Sequence, residues 1–516
     1  MIWINVLEYL ENDTLPKCRD KTFVVDNDRS FTYGEIILRS RKWAAAIIEK
    51  MGSIKNPVAV YLPKCAETIV ADIAILYSAN FYTNLDITTP MKRNMALVGN
   101  IKPSLIITNK NLMTDLTTSG VMEDRILLIE DLDQYNADGK PFTRIKELID
   151  TDPMCIINTS GSTGIPKSVL IAHRGIIDFL EWANDNFSHD ENTIIGNLSP
   201  LYFDIYMYEL VLCFKKGCAL VIIPENLKMF PINLLKYMER KKISFIFWVP
   251  TIMVNIANVN ILDKVDLSCV KLVWYAGEVL PTRHLNIWRK HLPQAMFVNL
   301  YGPIEISVDC TYYIIDRDFG DDEPVPIGYP CRNSDVFILN GDNKLAEPGE
   351  KGELCVRGSS LALGYYNNRE KTAQVFTQNP LNPNYPELIY RTGDLVYRNE
   401  KNQIMFIGRM DYLIKHLGYR IELSEIEYAV VSLSFIKNAC VLYNAGEKQI
   451  TLFYESEGKV EPARIIKELQ TVLPKYMIPT AFHQLDKIPM NPNGKIDRNL
   501  LKEKYLDQGD SDALQN

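Results

Sequence analysis

Apolar positions between residues 36 and 48 recur at helical spacing, and Thr32 and Glu35 stand ahead of them at capping-box separation. Gly52 closes the run, so the pattern predicts a helix with both ends marked. Short β-branched runs then recur at 58–61, 105–108, 126–129, 220–223, 243–249, 270–274 and 297–300, with helical patterns between them. Strands alternating with helices predict α/β layers with largely parallel sheets. From residue 334 the texture shifts to short strands and turns, at 336–339, 353–356 and 403–407, which predicts a smaller β-rich unit. Past residue 409, a helix at 424–432 opened by a Ser424/Glu427 capping pair, strands near 439–443 and 450–454, and a helix at 463–473 predict a compact α+β unit. Residues 509–516 read as a frayed polar tail.

The chain has 516 residues, enough for two or three lobes that each bury a core. A net charge of -8 leaves no basic stripe, which argues against nucleic acid and against an anionic membrane surface as partners. Ten cysteines are scattered singly, without a C-x-x-C pair or a Cys/His cluster at metal-ligand spacing, and read as reduced thiols. The first ten residues lack a basic segment followed by an apolar run, and no apolar stretch of about 20 residues occurs, so the expected location is cytoplasmic.

The strongest local feature is Asn158-Thr159-Ser160-Gly161-Ser162-Thr163-Gly164-Ile165-Pro166-Lys167, directly after the apolar segment 154–157. Its glycines let backbone N–H groups approach an anion, its hydroxyls add donors, and Lys167 supplies a point charge. The spacing is not that of a Walker loop. On composition alone, a Ser/Gly-rich stretch is equally a flexible loop.

This loop resembles the phosphate loop of the adenylate-forming superfamily, which includes acyl-CoA synthetases, luciferases and the adenylation domains of nonribosomal peptide synthetases. Further motifs follow in that family's order. They are Phe203-Asp204, Asn299-Leu300-Tyr301-Gly302-Pro303-Ile304-Glu305, Gly352-Glu353-Leu354 and Gly364-Tyr365-Tyr366, then Tyr390-Arg391-Thr392-Gly393-Asp394-Leu395, Gly408-Arg409-Met410-Asp411, Gly418-Tyr419-Arg420-Ile421-Glu422-Leu423 and Asn493-Gly494-Lys495-Ile496-Asp497. The chain is similar in particular to amino-acid adenylation domains and D-alanine carrier protein ligases. The resemblance implies a large lobe over 1–408, a small mobile lobe over 409–516, and a hinge at Asp411.

It also implies roles for single residues. Residues 159–164, Lys167 and the segment from Asn299 to Ile304 would bind ATP, with Tyr301 stacking on adenine and Phe406 nearby. Asp394 would accept the ribose hydroxyls and Arg409 would contact the ribose; outside the motifs, Asp394 is equally a turn residue and Arg409 a surface ion-pair partner. Glu305 would face magnesium, because a hard cation bridging phosphates needs oxygen ligands. Lys495 would be the catalytic cation that meets charge developing at phosphorus. Three departures stand out: Ile304 replaces the family's usual Thr, Ser168 replaces the Gly after the loop lysine, and the segment Leu76 to Asp86 matches the family's early K-A-G-x-x-Y-V-P-x-D motif poorly.

Asp204 matches the residue that amino-acid-activating members set against the substrate's α-ammonium. The side-chain pocket maps onto Asp204, Ile205, Tyr208, Phe247 and Trp274, and onto Ala276, Leu300, Val308 and Asp309, with Lys495 beside them. Bulk at Phe247 and Trp274 implies a small side chain, and Asp309 an acceptor for a hydroxyl proton or a cation; serine, alanine and proline fit. The sequence contains no L-G-G-x-S carrier motif and no H-H-x-x-x-D-G condensation motif, so the expectation is a separate activating enzyme that uses ATP and Mg2+ and loads a phosphopantetheinylated carrier protein in trans. The alternatives are an acyl- or aryl-CoA synthetase, against which Asp204 argues, and a nucleotide-binding protein without activity, against which Lys167, Glu305, Asp394 and Lys495 argue.

Overall fold

A computed structural model describes residues 4–137, 139–159, 167–410, 413–416, 419–444, 447–473, 475–491 and 494–506. The capping box is formed: Thr32 accepts from the Glu35 amide, Glu35 reaches back, and Gly52 ends the helix Tyr33–Met51 with φ of 66°. Two large sheets follow from the alternating pattern. One has six strands in the order Ile126–Leu128, Leu105–Thr108, Pro57–Val60, Phe81–Asn84, Pro153–Thr159 and Lys167–Ala172, parallel up to the final antiparallel pair. The other has nine, with Met296–Tyr301, Leu272–Tyr275, Phe245–Trp248, Ile194–Asn197, Ala219–Ile222 and Thr22–Asp26 running parallel at its centre.

Helices fill the space between these sheets. In Ala66–Tyr77 every residue but Glu67 is buried, as expected of a helix that is apolar all round and belongs to a core. One continuous hydrophobic cluster joins its residues to the inner faces of both sheets and to the helices His173–Asn186 and Asp204–Lys216. No helix among the described residues is long and apolar enough to cross a membrane.

The β-rich unit is a five-stranded antiparallel sheet of Ser334–Leu339, Gly352–Gly358, Leu388–Arg398, Phe376–Gln378 and Ile404–Arg409. A ribbon, Leu413–His416 with Tyr419–Glu422, leads to a three-stranded sheet of Ile436–Asn444, Gln449–Ser456 and Ala481–Gln484 that keeps its own core.

Two expectations change here. The helix predicted at 424–432 is Leu423–Val431, and the Ser424/Glu427 pair does not cap it. The Ser424 hydroxyl donates to the Ile407 carbonyl, and Glu427 accepts from Val441 N–H and Arg498, because packing against neighbouring strands outcompetes the local bond. The last predicted helix is also shorter, Pro462–Leu469.

Candidate functional site

The hairpin Pro153–Thr159 with Lys167–Ala172 brings Thr159 opposite Lys167 and so closes the base of the glycine-rich loop. Ser160, Gly161, Ser162, Thr163 and Gly164 lie outside the described residues. Backbone bonds lace 363–366 along the second strand of the hairpin: Leu363 N–H to Leu170 O, Leu170 N–H to Gly364 O, and Tyr366 N–H to Ser168 O. Tyr365 therefore lies beneath Lys167, whose Nζ is 5.4 Å from the ring centroid. The Tyr365 hydroxyl donates to Glu305 Oε1 at 2.6 Å. Ser168, unusual at its position, is absorbed by a polar chain, donating to Asn158 Oδ1 at 2.8 Å while Asn158 donates to Thr83 at 3.0 Å.

At the other end of the nucleotide region, Asp394 lies within the long strand Leu388–Arg398, not in the turn that its Thr-Gly-Asp setting suggests. A register shift near Leu395 and Val396 keeps it opposite Arg409. Arg409 Nη1 reaches Asp394 Oδ1 at 3.0 Å, and Tyr301 donates its hydroxyl to Oδ2. Thr392 locks the segment by donating to Leu354 O at 2.8 Å and accepting from Asp394 N–H at 3.0 Å. Arg409 and Tyr301 thus hold the Asp394 carboxylate in a fixed orientation. Phe406 lies 6.0 Å from the Tyr301 ring, which makes a flat-sided aromatic corner beside the acid. Asn299 is spent on the framework, donating to Pro326 O at 2.8 Å. Pro303 leads into the turn Ile304–Ile306, and Ile304 packs into the main core.

The acid pocket lies where the central strands end. Phe247 and Trp274 are register partners on adjacent strands. Trp274 stacks on Tyr208 at 5.2 Å and meets Phe187, Phe245 and Phe247 edge-on at 4.8 to 5.5 Å, which walls off the pocket floor. Ile205, Ala276 and Leu300 are buried around it. Ser307 and Val308 both have positive φ, 60° and 117°. For β-branched Val308 that is a strained conformation of the kind that gathers at binding sites. Gly302 makes the turn possible, since a Cβ there would sit 2.4 Å from Asp309 Cα.

The strained turn delivers Asp309, 2 % exposed, with neither carboxylate oxygen hydrogen-bonded. Asp204 opens the helix Asp204–Lys216 and accepts the Ile205 N–H at 2.9 Å. Burial pushes both acids upward, and for Asp309 the Asp204 charge adds to it.

The counter-charge arrives from the small lobe. Asn491 accepts the Lys495 N–H at 3.0 Å, Gly494 turns with φ of 77°, and the Lys495 ammonium lies over Gly277, 3.3 Å from where a Cβ would be. Lys495 opposes the burial that raises Asp204, Asp309 and Glu278.

A family model described as AMP-binding enzyme matches residues 12–366. The chain belongs to the AMP-binding enzyme family. It is 31 % identical over 500 residues to gramicidin S synthase 2 of Brevibacillus brevis, covering 96 % of this chain but 11 % of that protein. It is 30 % identical to zwittermicin A synthase ZmaJ of Bacillus cereus, over 96 % of this chain and 94 % of that one. With D-alanine--D-alanyl carrier protein ligase of Bacillus licheniformis it shares 29 %, over 94 % of this chain and 96 % of the relative. The four-domain nonribosomal peptide synthetase holo-AB3403, bound to AMP and glycine, superposes with a TM-score of 0.81 at 25 % identity, covering 96 % of this chain and 36 % of that one. Klebsiella oxytoca NpsA superposes with a TM-score of 0.82 at 21 % identity, over 98 % of this chain and 99 % of that one, which speaks to the fold.

Two residues of this AMP-binding enzyme's site escape the sequence reading. Tyr365 stands inside a quoted motif, yet nothing local says that it bridges Lys167 and Glu305. Glu278, after the strand Leu272–Tyr275, accepts from Thr251 N–H and Oγ1 at 3.2 and 2.6 Å and faces Lys495. A carboxylate following the Ala276-Gly277 pair was the available signal. Asp411, expected from the sequence to be the hinge, lies outside the described residues.

Proposed function

We propose that this AMP-binding enzyme activates the carboxylate of a small amino acid with ATP and then passes the acyl group to the phosphopantetheine thiol of a separate carrier protein. In the first half-reaction a carboxylate oxygen attacks the α-phosphorus, the bond to the bridging oxygen breaks, and pyrophosphate leaves with that electron pair. In the second, the thiol attacks the acyl carbon, its proton is lost, and AMP departs.

The observation that carries this reading is the placement of the Lys495 ammonium over Gly277, where its charge acts on the partly buried Asp204 and the buried Asp309. Asp204, at the mouth, suits an α-ammonium, which would neutralise a carboxylate that burial otherwise disfavours. Lys495 suits the charge gathering at phosphorus, and Lys167 the pyrophosphate side. Tyr301, Asp394 and Arg409 form a nucleoside corner. Glu305 is a single carboxylate, and no group of three or more metal-binding side chains occurs among the described residues. That fits Mg2+, which takes one or two carboxylates and fills its shell with water and phosphate oxygens; bound there, the ion would neutralise phosphate charge.

Within the small acids, Asp309 favours serine over alanine or proline. Burial holds its carboxyl well above the usual carboxylate range, and neither oxygen has a hydrogen-bond partner among the described residues, so the group is open to a substrate hydroxyl. A carboxyl oxygen accepts a hydroxyl proton, which the side chains of alanine and proline lack.

ATP–pyrophosphate exchange across amino acids, fatty acids and aryl acids tests the reading. The expected result is exchange with serine first and other small amino acids next. Exchange with fatty or aryl acids and none with amino acids would favour the CoA-synthetase alternative, and no exchange with any acid would point to a nucleotide-binding protein without this activity.

A further inference from the structure

Two contacts outside every motif fasten the small lobe to the large one. Arg283, in the first turn of the helix Thr282–His291, donates from Nη1 to Leu433 O at 2.8 Å and from Nη2 to Ile436 O. Leu433 follows the end of the helix Leu423–Val431, where unpaired carbonyls and the negative end of the helix dipole favour a cation. Asn258, the last residue of the helix Pro250–Asn258, donates from Nδ2 to Lys437 O at 3.1 Å. Its Oδ1 faces His284 Nε2 at 3.0 Å. Burial lowers His284 to about 3, so the ring is neutral and the Nε2–H tautomer is the one that donates to Asn258. That bond turns the amide nitrogen of Asn258 toward the small lobe.

The same two elements carry the surface on which Lys495 rests. Gly277 and Glu278 precede Arg283 in one connection, and Thr251, which braces Glu278, shares its helix with Asn258. Docking at 433–437 and delivery of Lys495 are thus one rigid event. In any other placement of the small lobe, Arg283 and the three carbonyls return to water.

We propose that Arg283 and Asn258 are positioning residues for adenylate formation, holding the small lobe where Lys495 reaches the acid pocket; the inference rests on the reading of Lys495 given above. In single-turnover adenylation with the amino acid giving the fastest exchange, Arg283→Ala and Asn258→Ala together should slow the chemical step roughly 10- to 100-fold, the scale expected of a misplaced catalytic group. Equilibrium binding of ATP and of the amino acid should stay close to parental values, because apart from Arg409 and Lys495 the residues read as lining both sites lie in the large lobe. Arg283→Lys, which keeps the charge but reaches fewer carbonyls, should fall between. In a Lys495→Ala background the pair of substitutions should cost nothing further, and in the parent background small-angle scattering should show an expanded radius of gyration.

A parental rate with parental scattering in the double variant overturns the proposal. So does an equal additional loss in the Lys495→Ala background. If Lys495→Ala itself retains parental exchange, the reading of Lys495 fails; an unchanged scattering profile in the double variant would then overturn the latch as well.

Discussion

Both carboxylate oxygens of Asp309 lack a partner in the protein, and the residue is held there by a turn whose Val308 is strained at φ of 117°. Strain and an unsatisfied buried group in one place are costs that a bound ligand would offset. Replacing Asp309 by Ala should therefore lower serine-dependent pyrophosphate exchange by about 10- to 100-fold, the worth of a hydrogen bond of roughly 1.5 to 3 kcal/mol, while alanine-dependent exchange changes little. Equal losses for serine and alanine would mean that Asp309 shapes the pocket without reading the side chain. The motifs locate Asp309 in the sequence. They say nothing of its burial beside Gly302 or of its unsatisfied oxygens, which depend on how the chain packs around the turn.

The helix Ala66–Tyr77 shows what burial does to one polar residue within an apolar element. Asp72 is fully buried and accepts from Asn84 Nδ2 at 3.0 Å and the Tyr206 hydroxyl at 2.8 Å, leaving its other oxygen unpaired. Burial pushes its carboxyl from 3.8 up to about 8, against the opposing effect of the two donors. Between those values the folded chain holds a proton that the unfolded chain has released. Its contribution to stability is thus complete below about pH 4 and is lost as pH climbs through about 8, at up to about 1.4 kcal/mol per pH unit. Asp72→Asn keeps an acceptor for both donors and should flatten part of the fall in Tm between pH 4 and 8. Glu209, also pushed up to about 8, maintains the remainder. A pH profile of Tm unchanged by the substitution would remove Asp72 from this role. Elements of this kind divide sharply in legibility. Thr32, Glu35 and Gly52 mark their helix because a cap is a bond among near neighbours. Ser424 and Glu427 mislead because each finds a better partner on a distant strand.

At the scale of the whole molecule, the small lobe keeps a separate core, and among the described residues its polar contacts with the large lobe include Asn258 to Lys437 O and Arg283 to Leu433 O. The hinge reading of Asp411 is tested by Asp411→Pro, which removes an N–H and restricts one torsion. Pyrophosphate exchange should survive, while loading of a phosphopantetheinylated carrier protein should fall much further. Parallel losses would indicate damage to the fold, and unchanged loading would place the hinge elsewhere.

The order of motifs along the chain points to the family and picks out the glycine-rich loop, Asp394 and Lys495, because each motif is written in near-neighbour chemistry: glycines where φ is positive or atoms crowd, and polar residues at fixed spacing beside them. The pairing of Tyr365 with Glu305 under Lys167, the unsatisfied oxygens of the buried Asp309, the seat of Lys495 on Gly277 and the bonds of Arg283 to Leu433 O and Ile436 O are decided only by tertiary structure. They join residues on different strands, or on different lobes, and which atoms meet depends on how sheets stack and where strands end, information that no short run of residues carries.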